Sequence, residues 1–181
     1  MFTDKKKYWP TITKFFIVIL LFALCRTDVE AVREEKINKI EVFVSAYCYR
    51  LNRSRIPEIL LLKRAPNRKL HPDLWECCGG SVQNNESFES AAQRQLLEET
   101  GITAAKWKVL ECFEVHVDPH TLVPGLIFTC RADQNATVKL DPREHIDFRW
   151  VTLNDLENFQ LISKQMRHSI VKLLMIQGKK S

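Results

Sequence analysis

A stretch of 24 residues, GGSVQNNESFESAAQRQLLEETGI (Gly79–Ile102), constrains the fold of this chain more than any other feature. It begins with two glycines and a polar loop, and it then predicts a helix over residues 87–100. Ser87 is a favourable N-cap, and Glu89 lies in the first turn, where the helix dipole favours negative charge. Gly101 is placed to adopt the left-handed conformation that ends a helix. The stretch therefore predicts a polar loop joined directly to one capped helix.

The predicted helix carries its polar residues on one flank. At about 100° per residue, that flank contains Arg94, Gln95, Glu98 and Glu99. Leu96 and Leu97 fall on the opposite side and are predicted to face the core. Arg94 and Glu98 are four residues apart, and so are Gln95 and Glu99. The two residues of each pair are therefore adjacent on the helix surface.

This flank predicts a metal site. Glu98 and Glu99 repel each other as carboxylates, and a hard divalent cation between them removes that repulsion. Mg²⁺ keeps several waters and typically bridges carboxylates to substrate phosphates. Gly79 and Gly80, which we place at the end of the preceding loop, let backbone groups approach an ion or a phosphate closely. Arg94 is placed to hold one glutamate in a fixed rotamer.

The rest of the chain predicts an α/β fold with a mixed sheet. Alternating apolar residues from Ile40 to Ala46 and the apolar run Ile59–Leu62 each indicate a strand. A long connection follows, over residues 65–80, in which Trp75 is expected to anchor the chain to the core. After the central helix, the segments WKVLECFEVHV, GLIFTCRA and HIDFRWVTL indicate further strands. The apolar spacing over residues 163–176 predicts a last helix, so helices cover the faces of the sheet.

The first 25 residues are a separate segment. Basic residues precede FFIVILLFALC (Phe15–Cys25), which is short for a bilayer span of about 20 residues and suits the core of a signal peptide. Ala23 and Cys25 are small residues two apart, which fits cleavage after Cys25. An uncleaved anchor that contacts the membrane through residues 15–25, or a buried helix of the domain, stays open. Residues 26–37 are interpreted as a linker, and the protein as secreted, exported or membrane-anchored.

Charge and cysteine content argue against two classes of protein. The net charge is +5, of which the four lysines and one aspartate of residues 1–25 supply +3. The remaining +2 is too weak to predict nucleic-acid binding from electrostatics. Five cysteines follow the leader, and this odd number makes a poor disulfide framework. The sequence contains no C-x-x-C pair, so it does not predict a zinc site.

The central stretch resembles the signature of the Nudix hydrolase family, G-x5-E-x7-R-E-U-x-E-E-x-G-U, in which U is a bulky aliphatic residue. The matching fixed positions are Gly80, Glu86, Arg94, Leu96, Glu98, Glu99, Gly101 and Ile102. The pattern is long and specific, and the resemblance covers residues 38–176, with 177–181 left as a basic tail. One position departs from it, because Gln95 stands where the family has a glutamate.

The resemblance implies a Nudix-type α/β/α sandwich and hydrolysis of a nucleoside diphosphate linked to another moiety, with Mg²⁺ or Mn²⁺ as the cofactor. By position, Glu98 and Glu99 would be metal ligands, joined by the carbonyl oxygen of Gly80. Arg94 would orient the glutamates, and Glu86 would support the site or bind a second ion. Family members recruit a further acid outside the signature, and Glu144 lies where such a residue commonly stands. Nudix domains also commonly form homodimers.

Gln95 defines an alternative function. A glutamine cannot ionise, so it binds a cation more weakly than glutamate and cannot act as a general base. A general base typically contributes about 10²–10⁴-fold in rate, so its loss slows a reaction without abolishing it. The alternative is therefore a degenerate Nudix domain that binds a nucleotide or a protein partner with little or no turnover.

Overall fold

The computed structural model describes residues 42–118 and 121–179 of the 181-residue chain. The predicted leader, the linker and the first residues of the domain lie outside the described residues, as do the last two residues of the tail. No helix within the described ranges is long and apolar enough to cross a bilayer.

Within the described residues, seven strands form one mixed sheet; the sequence predicted the mixed sheet and five of its strands. They are β1 (Phe43–Leu51), β2 (Pro57–Arg64), β3 (Trp75–Glu76), β4 (Cys78–Ser81), β5 (Lys108–Asp118), β6 (Thr121–Arg131) and β7 (His145–Thr152). Strand β1 is parallel to β6 and antiparallel to β2 and β4. Strand β2 is also antiparallel to β3 and β7, and β5 forms the far edge beside β6.

Two helices cover opposite faces of this sheet, which confirms the predicted α/β/α sandwich. Helix α1 (Phe88–Thr100) packs with the strand residues Val44 and Leu60. Helix α2 (Lys164–Gly178) packs with Tyr47 and Ile59 on the other face. Because successive side chains of a strand point to opposite faces, β1 and β2 contribute alternate residues to the two cores.

Both helices begin at a serine that the sequence placed at their start. The Ser87 hydroxyl oxygen accepts a hydrogen bond from the Ser90 N–H (3.1 Å), and Ser163 caps α2 in the same way. At the other end of α1, Gly101 has φ 69°, and its N–H donates to the Leu97 carbonyl. The predicted boundaries of α1 are therefore confirmed at both ends.

Two details of the prediction are wrong. Residues 65–80 are not one long connection, because they contain β3 and β4, and Gly79 and Gly80 lie in a strand rather than at a loop end. A Cβ on Gly79 would stand 2.7 Å from the Val44 carbonyl oxygen of β1, so this strand needs glycine to pair so closely. Leu97 does not face the core, since half of it (50%) is exposed while Leu96 is fully buried.

Candidate functional site

Arg94 donates hydrogen bonds to several other residues around the polar flank of α1. Its Nη2 and Nε donate to Oε1 and Oε2 of Glu86 at 2.6 and 3.1 Å, and its Nη1 donates to Glu98 Oε2 at 3.1 Å. Nη2 also donates to the Ser81 carbonyl of β4 (3.1 Å). The guanidinium therefore joins α1, the preceding loop and the sheet, and its hydrogen bonds to Glu86 lower the pKa of that carboxyl.

The two adjacent glutamates of the signature have opposite environments. The side chain of Glu98 is 57% exposed, and its Oε2 is held by Arg94. Glu99 is only 4% exposed, because its position on α1 continues the stripe of Ala92 and Leu96 that faces the sheet. The helical wheel had placed both acids on one polar flank, and the structure instead turns one outward and one inward.

Glu99 is a buried carboxylate among other acids. Burial raises its pKa well above the usual value, and the nearby charge of Glu76 raises it further. A hydrogen bond from the Gly79 N–H to Oε1 (3.2 Å) acts in the opposite direction, while Glu144 adds to the rise. The protein alone does little to stabilise the negative charge of Glu99 in these surroundings. Acids with strongly shifted pKa values concentrate at functional sites.

Gln95 contributes to the same carboxylate. In the amide orientation that satisfies both of its ends, the nitrogen donates to Glu99 Oε1 at 2.9 Å and the oxygen accepts from Arg94 Nη1 at 3.0 Å. The amide also lies against Gly80, where a Cβ would stand between 2.4 and 3.0 Å from its atoms. Glycine at position 80 therefore leaves room for the Gln95 side chain beside the Glu99 carboxylate.

Three buried or half-buried residues that the sequence did not predict complete this cluster. Glu76 of β3 forms an ion pair with Arg64 of β2, and the same carboxylate oxygen, Oε1, lies 3.0 Å from His145 Nε2. The other ring nitrogen, Nδ1, lies 3.7 Å from Glu99 Oε2. Position 145 follows the predicted site residue Glu144 directly, and that adjacency was the sequence signal available for it.

Glu144 is held by its backbone rather than by its side chain. Its carbonyl accepts from the Ala65 N–H (2.8 Å), and its N–H donates to the Asp141 carbonyl (3.0 Å). The carboxylate is partly exposed, and its nearest cation is Arg68, whose Nη2 lies 3.8 Å from Oε2. Because this carboxylate also raises the pKa of Glu99, it belongs to the same acidic cluster.

The residues present fit a hydrated divalent cation. The charges of Glu76 and Glu144 both raise the pKa of Glu99, and the charge of Arg64 offsets them in part. Within the part of the chain that the structure describes, no three His, Cys, Asp or Glu side chains form a complete metal cage. Mg²⁺ does not require one, because it keeps several waters and is usually bound by one or two carboxylates together with substrate phosphates.

Comparisons with known proteins point to one family. The family model for the NUDIX domain matches residues 42–173. The chain is 31% identical over 113 residues to the nucleoside triphosphatase NudI of Klebsiella pneumoniae, covering 56% of this chain and 78% of that protein. It is 25% identical over 117 residues to the 8-oxo-dGTP diphosphatase of Buchnera aphidicola, covering 64% and 85%.

A solved structure agrees with these sequence matches. The MutT protein from Methanosarcina mazei superimposes with a TM-score of 0.60 at 25% identity, over 76% of this chain and 96% of that one. The similarity therefore extends over nearly the whole of the solved protein.

Proposed function

The chain belongs to the NUDIX domain family, and from that premise we propose that it is a divalent-metal-dependent pyrophosphohydrolase acting on a nucleoside diphosphate linked to another group. The observation that carries the proposal is the position of Glu99. It is a buried carboxylate with a raised pKa, next to Glu98 and opposite Glu76 and Glu144. A hydrolase of phosphoric anhydrides needs an uncompensated acidic site of this kind to hold its cation.

In this proposal each signature residue has a separate role. Glu98, Glu99 and the carbonyl of Gly80 hold Mg²⁺ or Mn²⁺. When bound, the cation supplies Lewis-acid stabilisation of the phosphoryl oxygens and lowers the pKa of a bound water. Arg94 holds the exposed Glu98 carboxylate in one position and is itself fixed by Glu86 and by the backbone of β4.

Glu144 and the loop after β2 form the other side of the site. The Glu144 carboxylate is partly exposed and paired only at 3.8 Å, so it is free to turn toward the cation or the attacking water. The end of β2 and the start of this loop, residues 63–68, contain three basic residues, and each of them is paired with an acid. The two curated relatives are named for nucleoside triphosphate substrates, so we place nucleoside triphosphates first among the candidates.

A substrate panel tests the proposal directly. The purified full chain is incubated with nucleoside triphosphates, oxidised nucleoside triphosphates, ADP-ribose, dinucleoside polyphosphates and nucleotide sugars, with Mg²⁺ or with Mn²⁺. Mass spectrometry of the products identifies the bond that is cleaved. We expect a nucleoside monophosphate as one product, cation-dependent turnover, and loss of nearly all activity in Glu98→Gln. Glu89→Gln is the matched control, because Glu89 is an exposed acid of the same helix that bonds only to Gln93.

Gln95→Glu separates an enzyme from a binding module. Gln95 donates to Glu99, and a glutamate there would add the charge that the family signature has. A large gain in rate identifies an enzyme that Gln95 weakens. Absence of turnover on the whole panel, both before and after this substitution, favours a domain that binds a nucleotide or a partner without hydrolysing it, and contradicts the proposal.

We also propose that residues 1–25 direct the chain out of the cytosol, as a cleaved signal peptide or as a membrane anchor. The proposal is supported by the basic residues that precede the apolar run Phe15–Cys25. N-terminal sequencing of the protein from cells distinguishes cleavage from retention, and recovery of the intact chain in the soluble cytosolic fraction would contradict both forms. Light scattering of the purified chain tests whether it forms a homodimer.

A further inference from the structure

His145 is a buried residue that the proposed mechanism does not use. It is the first residue of β7 and is only 2% exposed. Its Nε2 lies 3.0 Å from Glu76 Oε1, the oxygen that also pairs with Arg64. Because a carboxylate paired with a guanidinium is ionised and can only accept, the Nε2 atom carries the proton and donates it. The ring is therefore held in one orientation, and its neutral form has one tautomer, with the proton on Nε2.

This tautomer leaves the other ring nitrogen as an unpaired acceptor. His145 Nδ1 is buried, and it has no hydrogen-bond partner among the described residues. It faces Glu99 Oε2 across 3.7 Å. The other oxygen of that carboxylate, Oε1, already accepts from the Gly79 N–H and from Gln95. Two acceptors, Nδ1 and Oε2, therefore face each other with no donor between them.

Buried polar groups are rarely left without a partner, and exceptions mark a site that awaits a ligand or a water. Glu99 Oε2 is the oxygen that remains available to a cation, because Oε1 is occupied. A hard cation such as Mg²⁺ prefers oxygen ligands to imidazole and keeps several of its waters. Those waters are hydrogen-bond donors, and they are the donors that Nδ1 lacks.

Resting on the proposed function, we propose that His145 is a positioning residue of the metal site, whose Nδ1 accepts a hydrogen bond from a water on the cation that Glu99 holds. Glu76 and Arg64 keep the ring turned toward that water. The site is then bounded by Glu98 on the exposed side and by His145 on the buried side, with Glu99 between them.

Two substitutions of His145 separate its two nitrogens. His145→Gln places an amide nitrogen near the position of Nε2, so it keeps the bond to Glu76 and loses the acceptor at Nδ1. His145→Asn places an amide oxygen near the position of Nδ1, so it keeps that acceptor and loses the bond to Glu76. His168→Gln is the matched control, because His168 is exposed on α2 at the other face of the sheet.

The readout is Mn²⁺ affinity of the full chain, measured from the free Mn²⁺ signal in electron paramagnetic resonance, together with thermal unfolding in EDTA. We expect His145→Gln to bind Mn²⁺ about 10–100-fold more weakly with little change in unfolding, as is typical for loss of an outer-shell partner. We expect His145→Asn to lose less affinity than His145→Gln but to unfold at a lower temperature. The control should match the wild type in both measurements.

Equal Mn²⁺ affinities of the two His145 variants would overturn the inference, whether both match the wild type or both fall together with stability. Glu99→Gln, measured in the same titration, shows whether the metal site itself exists. If Glu99→Gln binds Mn²⁺ like the wild type, the proposed function fails and the inference fails with it. If Glu99→Gln weakens binding while His145→Gln does not, only the inference fails.

Discussion

Glu111 and Glu99 lie on opposite faces of the same sheet, and the pKa values of their carboxyls are shifted in opposite directions. Glu111 of β5 meets helix α2, where it accepts hydrogen bonds from Ser169 Oγ and from Lys172 Nζ (2.6 Å). Burial opposes its ionisation, but the hydrogen bonds from Lys172 and Ser169 outweigh burial, and the pKa of Glu111 is lowered. Glu99 of α1 is more deeply buried, lies among acids, and has a raised pKa.

The difference shows how one residue type serves two purposes. Both oxygens of the Glu111 carboxylate accept hydrogen bonds from α2, so this carboxylate holds α2 against the sheet. Glu99 keeps one oxygen free beside other negative groups, which costs the metal-free protein stability and favours a cation. A paired acid is thus a structural contact, whereas an acid left short of partners indicates a site. Three predictions test this contrast, and a fourth tests the exposed side of α1.

The largest expected effect is that of Glu99→Gln on catalysis. If Glu99 is a metal ligand, its loss removes part of the Lewis-acid stabilisation, several kcal/mol in metal enzymes, so kcat/KM should fall roughly 10²–10³-fold. The free energy of unfolding in EDTA should not fall, because a neutral amide replaces a poorly compensated buried carboxylate. Steady-state kinetics and denaturant unfolding measure the two effects. A variant that retains full activity would show that Glu99 does not bind the cation.

Glu111→Gln should show the reverse. Hydrogen bonds to a charged group contribute about 1.5–3 kcal/mol, so part of that should be lost from the free energy of unfolding, while kcat/KM stays unchanged. Denaturant unfolding and the nucleotide assay measure both quantities. Glu114→Gln, an exposed acid on the same strand, is the control. Loss of activity without loss of stability would mean that the α2 face also takes part in catalysis.

The two carboxyls should also give opposite dependences on pH in EDTA. A raised pKa means that folded Glu99 binds its proton more tightly than the unfolded chain does, so stability falls as pH rises above about 4.3 and through the folded pKa. The lowered pKa of Glu111 contributes stability that is present above about 4.3 and is lost as pH falls through the folded value. Denaturant unfolding of the wild type and both glutamine variants between about pH 2.5 and pH 8 measures these slopes, which reach at most about 1.4 kcal/mol per pH unit for one proton. A difference between wild type and Glu99→Gln that does not change with pH would contradict the raised pKa.

The smallest effect is expected at Leu97, which lies on α1 but away from the sheet. Because half of it is exposed, Leu97→Gln should change the free energy of unfolding by no more than about 0.5 kcal/mol. A loss well above that value, in the same denaturant assay, would mean that this side of α1 packs against something outside the described residues.

Much of the fold could be predicted from local patterns. The capping serine and the terminal glycine of α1, the apolar spacing of α2, and the alternation in β1 each depend on neighbours in the sequence, so they could be recognised without tertiary information. Strands β3 and β4 could not, because they have only 2 and 4 residues and exist through pairing with β2 and β1. Trp75, which was predicted to anchor this segment, does pack against the core. Its ring is edge-on to that of Phe159, with 5.0 Å between the ring centroids.

The sequence named the signature residues of the candidate site, but it did not predict how their side chains are arranged. Glu98 and Glu99 were expected to share one flank, yet the sheet-facing stripe of α1 includes Glu99 and leaves out Leu97. A helical wheel gives relative angles but not the direction in which the sheet lies. Glu76 and His145 were missed because they are 69 residues apart and meet only when β7 pairs with β2 beside β3.

The sequence by itself determined the family, the capped helix and the acids of the signature, because these depend on residue type and spacing along the chain. Only the tertiary structure decided that Glu99 is buried with one oxygen occupied and one free, and that His145 faces the free oxygen. The physical reason is that desolvation and hydrogen-bond direction depend on atoms brought together from distant strands, and no local pattern records those distances.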